Sequence, residues 1–343
     1  MKKILAIALC LIMVLAVVAC EKAPAEAEYK LGLGVVVSTD SSATGNAQVD
    51  ATIAAVVLDA EGKIVTCRID VAQNKMNVTD GAVDTAATFK TKMEKGSEYG
   101  MAGKVDNNGD GVMLEWDAQT KAFETYVTGK TVAEVEAIQT QEVNAHNIAV
   151  DEALLSAGCS MDITAFIQAV AKACKDEQGM SFKTAATFTL GVAAKTTAAS
   201  STAATAEAEG SVQMYSDIAC AVVADGKVIA TLNDAIQPKI AITAAGECTP
   251  SFSATKRELK EGYNMAAYGQ PNVEGGTVKE WYIQSAAFSE YVLGKTATEI
   301  ANMETKEVNA HFISVEQALL DAGCTMQITG ICAVVAQAAN YAR

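Results

Sequence analysis

The sequence predicts an α+β protein of two similar tandem modules, each a mostly antiparallel sheet packed with helices, behind a lipoprotein-type leader. Three observations carry this. Glu142–Thr164 returns 165 residues later as Glu307–Thr329, with sixteen of twenty-three positions identical, which chance does not produce. Within each copy, β-rich apolar runs come first and helical periodicities follow, the order of an α+β unit rather than an alternating α/β one. At the start of the chain, Lys2 and Lys3 precede an apolar run, Ile4 to Ala19, followed by Cys20.

Taken in order, residues 1–19 read as a signal peptide, with a positive start and an apolar stretch ending in small residues. Residues 20–28, with Glu21-Lys-Ala-Pro-Ala-Glu-Ala-Glu28, are polar and aperiodic and read as a tether. Module one is expected over 29–178 and module two over 183–343. Leu31–Val37, Gln48–Leu58 and Lys63–Val71 read as strands, with a turn at Glu61-Gly62. In the second copy Asp225-Gly226 marks the equivalent hairpin, and Asp70 and Gln73 return as Asp234 and Gln237. Ala193–Ala208, rich in Ala, Ser and Thr, reads as a variable loop.

Trp116, Phe123, Tyr126 and Val127 recur at helical spacing, as do Trp281, Phe288, Tyr291 and Val292. Both helices are expected to stop at glycine, Gly129 and Gly294. Thr131-Val-Ala-Glu134 and Thr296-Ala-Thr-Glu299 read as capping boxes opening the next helix. Each module closes with an Ala-rich helix, expected to take Thr164 or Thr329 as its N-cap.

The chain has 343 residues, half of them hydrophobic, and a formal net charge of −15. That balance argues against nucleic acid or an anionic membrane surface as the main partner. Nine cysteines include Cys10 and Cys20; the other seven show no zinc spacing and read mainly as small buried residues. Gly129-Lys-Thr and Gly294-Lys-Thr lack the upstream glycine of a phosphate loop, since Glu124 and Ser289 stand there. The only histidines, His146 and His311, have no carboxylate or thiol at ligand spacing and read as loop or helix-start residues. No nucleophile–base constellation appears, so a hydrolase reading has no residues to carry it.

Asp106–Asp117 fits the calcium-loop spacing. Asp106, Asn108 and Asp110 supply oxygens at alternate positions, Gly111 permits the turn, and Asp117 closes the set. Calcium is the metal this all-oxygen set suits. The second copy replaces the loop with Gln270-Pro-Asn-Val-Glu-Gly-Gly, and a polar hairpin-like insertion is the other reading.

Val17-Val18-Ala19-Cys20 resembles a bacterial lipobox. The resemblance implies a diacylated Cys20 and a protein lipid-anchored at the outer face of the cell membrane. Ala-Gly-Cys-[Ser/Thr]-Met-x-Ile-Thr, directly before the last helix of each copy, resembles the motif of the FMN-binding domain family, seen in redox-driven ion-pump subunits and surface electron-transfer lipoproteins. Carried over, Gly158 and Gly323 match the family glycine, and Ser160 and Thr325 fall on the hydroxyl that carries FMN through its phosphate. The departures are Ala157 or Ala322 at the first hydroxyl position, Cys159 or Cys324 at the family alanine, and Asp162 or Gln327 at the last hydroxyl position. In overall pattern the chain also resembles tandem-module surface lipoproteins of Gram-positive anaerobes. Two expectations stand. One is an FMN-binding electron carrier with a redox partner. The other is a non-catalytic solute-binding or structural lipoprotein without a cofactor, in which the shared motif is a helix C-cap and connector.

Overall fold

The computed structural model describes residues 25–105, 111–269, 271–274 and 276–343. The leader, Cys20, and the candidate ligands Asp106, Asn108 and Asp110 lie outside the described residues. The first half contains strands β1 (Ala27–Ser38), β2 (Asn46–Leu58) and β3 (Ile64–Asn77), then helices α1 (Lys92–Lys95), α2 (Trp116–Val127) and α3 (Val132–Glu136). A hairpin, β4 (Thr140–Val143) and β5 (His146–Ala149), is followed by α4 (Glu152–Ser156) and α5 (Thr164–Cys174). Strand β6 (Met180–Thr184) leads to β7 (Thr189–Thr197), β8 (Gly210–Val212), β9 (Tyr215–Ala224), β10 (Lys227–Ile236), β11 (Lys239–Ile242) and β12 (Cys248–Ser251). Then come α6 (Lys256–Leu259), α7 (Met265–Tyr268), α8 (Trp281–Tyr291), α9 (Ala297–Ala301), the hairpin β13 (Thr305–Val308) and β14 (His311–Ser314), α10 (Gln317–Asp321) and α11 (Thr329–Asn340). The protein is α+β, with antiparallel sheets and eleven α-helices among the described residues.

Two sheets, ordered β3-β2-β1-β6 and β10-β9-β7, lie face to face. Residues alternate along each strand, so each sheet has two buried faces. Leu31, Leu33 and Val35 of β1 and Val49, Ile53 and Val57 of β2 meet Leu190, Val192, Ile218 and Val222 in one inner core. The outer face of the first sheet, with Val56, Cys67 and Ile69, packs on Trp116, Phe123 and Phe166 of α2 and α5. The outer face of the second, with Ala219, Ala221 and Val228, packs on Trp281, Phe288 and Val335 of α8 and α11. The layers therefore run helix, sheet, sheet, helix.

Small residues set the helix–sheet spacing. A Cβ on Gly34 would stand 2.1 Å from the Ala169 carbonyl oxygen, and one on Gly191 2.0 Å from that of Ala338. Only glycine lets α5 and α11 lie this close to the strands. At two seams the sheets run side by side without a ladder among the described residues: β3 beside β7, and β10 beside β1 and β6.

The Asp225-Gly226 turn has φ of 50° and 74°, the left-handed pair of a two-residue hairpin. Both expected capping boxes form, at Thr131/Glu134 and Thr296/Glu299. Three expectations change. Ala193–Thr197 is strand, not loop: Ala193 and Ala194 are buried on opposite faces of β7, where alanine serves close packing rather than a coil. The last helices take Ile163 and Ile328 as N-caps, without a side-chain bond, and Thr164 and Thr329 are the first helical residues. In the first half the Thr164 N–H is taken by Asp162 instead. Finally, the expected start of module two, residue 183, falls inside β6, which pairs with β1 of the first sheet.

Candidate functional site

The repeated motif forms a tight turn. α4 and α10 end, and Gly158 and Gly323 follow at φ 90° and 92°, a conformation that strains any side chain with a Cβ. The next residues turn inward. Cys159 and Cys324 are fully buried, and Ser160 and Thr325 are 4% and 8% exposed. One glutamine pins each turn. Gln119 Oε1 accepts the N–H groups of Ser160 (3.0 Å) and Met161 (3.1 Å), while its Nε2 donates to the Leu114 carbonyl (2.9 Å). Gln284 Oε1 accepts from Thr325 N (2.8 Å), and its Nε2 donates to the Lys279 carbonyl (2.7 Å). The Thr325 carbonyl accepts from Asn272 Nδ2 at 2.9 Å. A buried amide must be satisfied at both ends, so these glutamines fix the turn to the loop before α2 or α8.

That loop is tied by a second repeated residue. Glu115 accepts from Met101 N and Ala102 N (3.0 and 3.1 Å), and Glu280 from Met265 N and Ala266 N (2.9 and 3.1 Å). Burial pushes the Glu115 carboxyl up, but the N–H groups of Met101, Ala102 and Trp116 outweigh it and hold the group below its usual range. Trp116 and Trp281 are buried beneath lysines, with Lys92 Nζ 5.5 Å and Lys256 Nζ 5.6 Å from the rings. His146 and His311 are exposed, each directly after an Asn-Ala turn.

Asp117 is the one described member of the calcium set. It sits in the first turn of α2, where its Oδ1 accepts the Ala118 N–H at 2.8 Å. Among the described residues no group of three His, Cys, Asp or Glu is placed to hold a metal.

A broad concavity lies elsewhere, at the seam between β1 and β10. It is a groove of about 680 Å³, with a floor from Leu33 to Val36 and walls from α5, α6 and the linker 175–178. Its charges are paired. Arg257 and Asp176, both almost fully buried, approach to 3.1 Å, and Arg257 also donates to the Gln178 carbonyl at 2.9 Å. Lys172 meets Glu258 at 2.5 Å and Lys260 meets Glu177 at 3.6 Å, while Lys175 pairs with Glu136. Lys172 Nζ also donates to the Val35 carbonyl at 2.7 Å, and Asp176 accepts Leu33 N–H at 3.1 Å. These groups cap the edge of β1 that β6 leaves unpaired, as charged side chains do at sheet edges.

Sequence reading did not single out this groove. The signal lay in where the copies differ: Lys172, Asp176 and Arg257 stand where the other copy has Gln337, Tyr341 and Met93. The groove is built from residues that differ between the copies. No helix among the described residues is long and apolar enough to cross a membrane. In comparisons with known proteins, no family model, no curated protein and no solved structure matches the chain.

Proposed function

We propose that this chain is an exported, lipid-anchored binding protein of two similar tandem modules, and that it holds a polar solute in the groove between them. The observation that carries the reading is the groove itself. Its walls come from both halves, and side chains of both charge signs line it above an apolar floor. Paired ions at such a place exchange partners with a solute that brings both a cation and an anion. A zwitterion of amino-acid or short-peptide size is the class that fits. Against the electron-carrier reading stands the burial of Ser160 and Thr325. A flavin transferase must reach those oxygens, and the glutamine pins hold the turn inward.

The test is a screen of zwitterionic solutes against the chain beginning after Cys20, by thermal shift and then calorimetry. A stabilising solute whose effect disappears in Lys172→Ala/Lys175→Ala, with the fold retained, supports the proposal. A solute bound equally well by that variant, or no stabilising solute in the class, overturns it. The anchor has its own test: Cys20→Ala releases the protein from the membrane fraction, and an unchanged distribution refutes the lipid.

One observation favours the flavin reading as second. A hydroxyl stands at the same turn in both halves, shortly before helices of 11 and 12 residues, whose N-termini favour a phosphate. Peptide mapping of protein from its native host decides it. An FMN addition on the Thr325 or Ser160 peptide establishes the carrier, and unmodified peptides at both remove the covalent version.

A further inference from the structure

The two seams where the sheets run side by side differ in their carboxylates. At the first, the protein supplies its own: Asp176 takes the Arg257 guanidinium at 3.1 Å and the Leu33 N–H at 3.1 Å. A Cβ on Gly32 would stand 2.0 Å from the Ala173 carbonyl oxygen, and one on Gly191 2.0 Å from that of Ala338. Leu33 and Val192, each one residue on, therefore hold corresponding places beneath α5 and α11. At the second seam Tyr341 stands for Asp176 and Met93 for Arg257. A phenol thus replaces the carboxylate, and it is engaged with Gln337 at 3.0 Å and Glu94 at 3.4 Å. An enclosed pocket of about 230 Å³ lies there, lined by Ile69, Met93 and Val192 on its apolar side and by Arg68, Arg343, Tyr341 and Glu94 on its polar side.

The two guanidiniums lack a close anion. Arg68 comes from β3 and Arg343 from the segment after α11. Each approaches Glu124 Oε2 only to 3.5 Å, longer than the ~2.7–2.9 Å of a charge-assisted bond. The other Glu124 oxygen is committed to the Ile69 N–H at 2.8 Å. Arg68 Nη1 donates to the Cys67 carbonyl at 2.7 Å and Nη2 to the Arg343 main-chain oxygen. Its Nε–H is buried and has no acceptor among the described residues, a state that costs free energy until something fills it. Burial also pulls the Arg68 guanidinium below its ordinary value, with Glu124 opposing and Arg343 adding to the effect. The pocket's acid is already covered: Glu94 Oε1 accepts Gln337 Nε2 at 2.6 Å and Oε2 the Thr91 N–H at 2.8 Å. The first seam has neither arginine, with Leu232 and Gln178 at the corresponding positions.

We propose that this pocket binds a small apolar monocarboxylate, its carboxylate on Arg68 and Arg343 and its body against Ile69, Met93 and Val192. It is a site separate from the groove at the first seam and independent of any solute held there. The ligand's carboxylate does at the second seam what Asp176 does at the first. It accepts the Arg68 Nε–H that no protein group accepts, and it gives both arginines the close anion that Glu124 does not. The apolar wall selects against a zwitterion, whose ammonium would be desolvated against Ile69, Met93 and Val192 with only the already bonded Glu94 near it. At roughly 30 Å³ per water the pocket holds about eight water-sized groups, so an acid of the size of benzoate or isovalerate fills it. Tyr341 and Arg343 are its exposed lining residues, and the ligand enters past them.

The experiment is a ligand-observed NMR titration of the full chain with benzoate and with isovalerate. Both should saturate, with Kd no weaker than about 10 mM for ligands of this size. Benzyl alcohol keeps the ring and lacks the charge, and should bind at least about 10-fold more weakly. Tyr341→Asp places a protein carboxylate where the first seam has Asp176, and should weaken benzoate by about 10-fold or more. Tyr341→Phe should keep it. Tyr341 is exposed, so both variants spare the core, and thermal melts check that they fold. Lys172→Ala/Lys175→Ala, in the other seam, should leave benzoate binding unchanged. Wild-type protein that neither acid saturates overturns the proposal, and so does benzyl alcohol bound as tightly as benzoate; neither comparison needs a variant. Undiminished binding in Tyr341→Asp, or binding lost in Lys172→Ala/Lys175→Ala, overturns it as well.

Discussion

At the seam between β1 and β10, α5 meets α6 through Lys172 and Glu258, and Asp176 grips Arg257. At the seam between β3 and β7, α11 meets α1 through the corresponding positions, but Gln337 donates to Glu94 at 2.6 Å and Tyr341 lies alongside. At these positions the first seam is closed by ion pairs, and the second by an amide and a phenol on Glu94, with Arg68 and Arg343 pairing with buried Glu124 beside them. The first opens a groove of about 680 Å³ and the second a pocket of about 230 Å³. The two seams thus carry different chemistry at corresponding sequence positions. Removing both charges of a buried pair from water offsets most of their attraction, so the ionic seam is not the more stable for its ions. What the ions provide is a wider, charged trough.

The strongest way to break the likeness of the seams is through the glycines beneath the helices. Gly34→Val and Gly191→Val each drive a side chain into a helix carbonyl about 2 Å away. Each is expected to cost about 3 kcal/mol or more, because neither helix nor strand can yield without uncovering a core. Denaturant midpoints check this. Similar losses in both halves show that the spacing is set the same way; a tolerated valine in one half shows that its helix is free to lift.

Next in size is the ionic bolt. Arg257→Met places at the first seam the residue that the second seam already has in Met93. It leaves Asp176 buried and unpaired, at an expected cost of about 3–5 kcal/mol. Adding Asp176→Tyr, the residue found at 341, should restore most of the loss. A single variant within about 1 kcal/mol of wild type would mean that water already reaches Asp176.

The contrast also explains what was legible in the sequence. Local rules hold where one residue's chemistry decides the outcome. The Asp225-Gly226 turn, the two capping boxes and the helical spacing of the tryptophans all depend on a few neighbours. Ala193 and Ala194 misled because alanine in a loop and alanine under a helix look alike until the helix is in place. The motif glycines were read from their turn chemistry, but the glutamines that pin the motif lie about 41 residues upstream and carry no local signal. The groove was invisible for the same reason. Asp176 and Arg257 are 81 residues apart, and each alone reads as a surface charge.

A smaller effect tests whether the halves share an electrostatic habit. Burial pushes Asp70 and Asp234 each up to about 6, against N–H groups of Met93 and Val71 in the first case, and of Arg257 and Ala235 beside the Arg257 charge in the second. Their folded values lie above the unfolded value of about 4. The stability tied to each proton is therefore complete below about pH 4 and lost as pH rises through 6. Asp70→Asn and Asp234→Asn keep an oxygen acceptor and carry no charge. Each should lose less stability than wild type between pH 4 and 7, by on the order of 2 kcal/mol. The two variants should show similar relief, because the two carboxyls are pushed up to alike values. Melts across that range check both, and a wild-type profile parallel to both variants would mean that the carboxyls titrate as if exposed.

The smallest effect is the most direct exchange of one seam's chemistry for the other's. Gln337→Lys offers Glu94 the partner that Lys172 gives Glu258. The model pair is only partly covered, with side chains 43% and 38% exposed, so solvent screens most of its attraction. The gain expected from Gln337→Lys is at most about 0.5 kcal/mol, and it should fade in high salt, where charges near the surface are screened over a few ångströms. The lysine also has to match what the amide now does, since Gln337 Nε2 donates to Tyr341 Oη at 3.0 Å as well as to Glu94. An ammonium can serve both oxygens, whereas an uncharged Gln337→Met serves neither and should lose about 1 kcal/mol. Comparing the three side chains at low and high salt separates charge from hydrogen bonding. If lysine gains more than about 1 kcal/mol and salt does not reduce it, the second seam is drier around Glu94 than its exposure indicates.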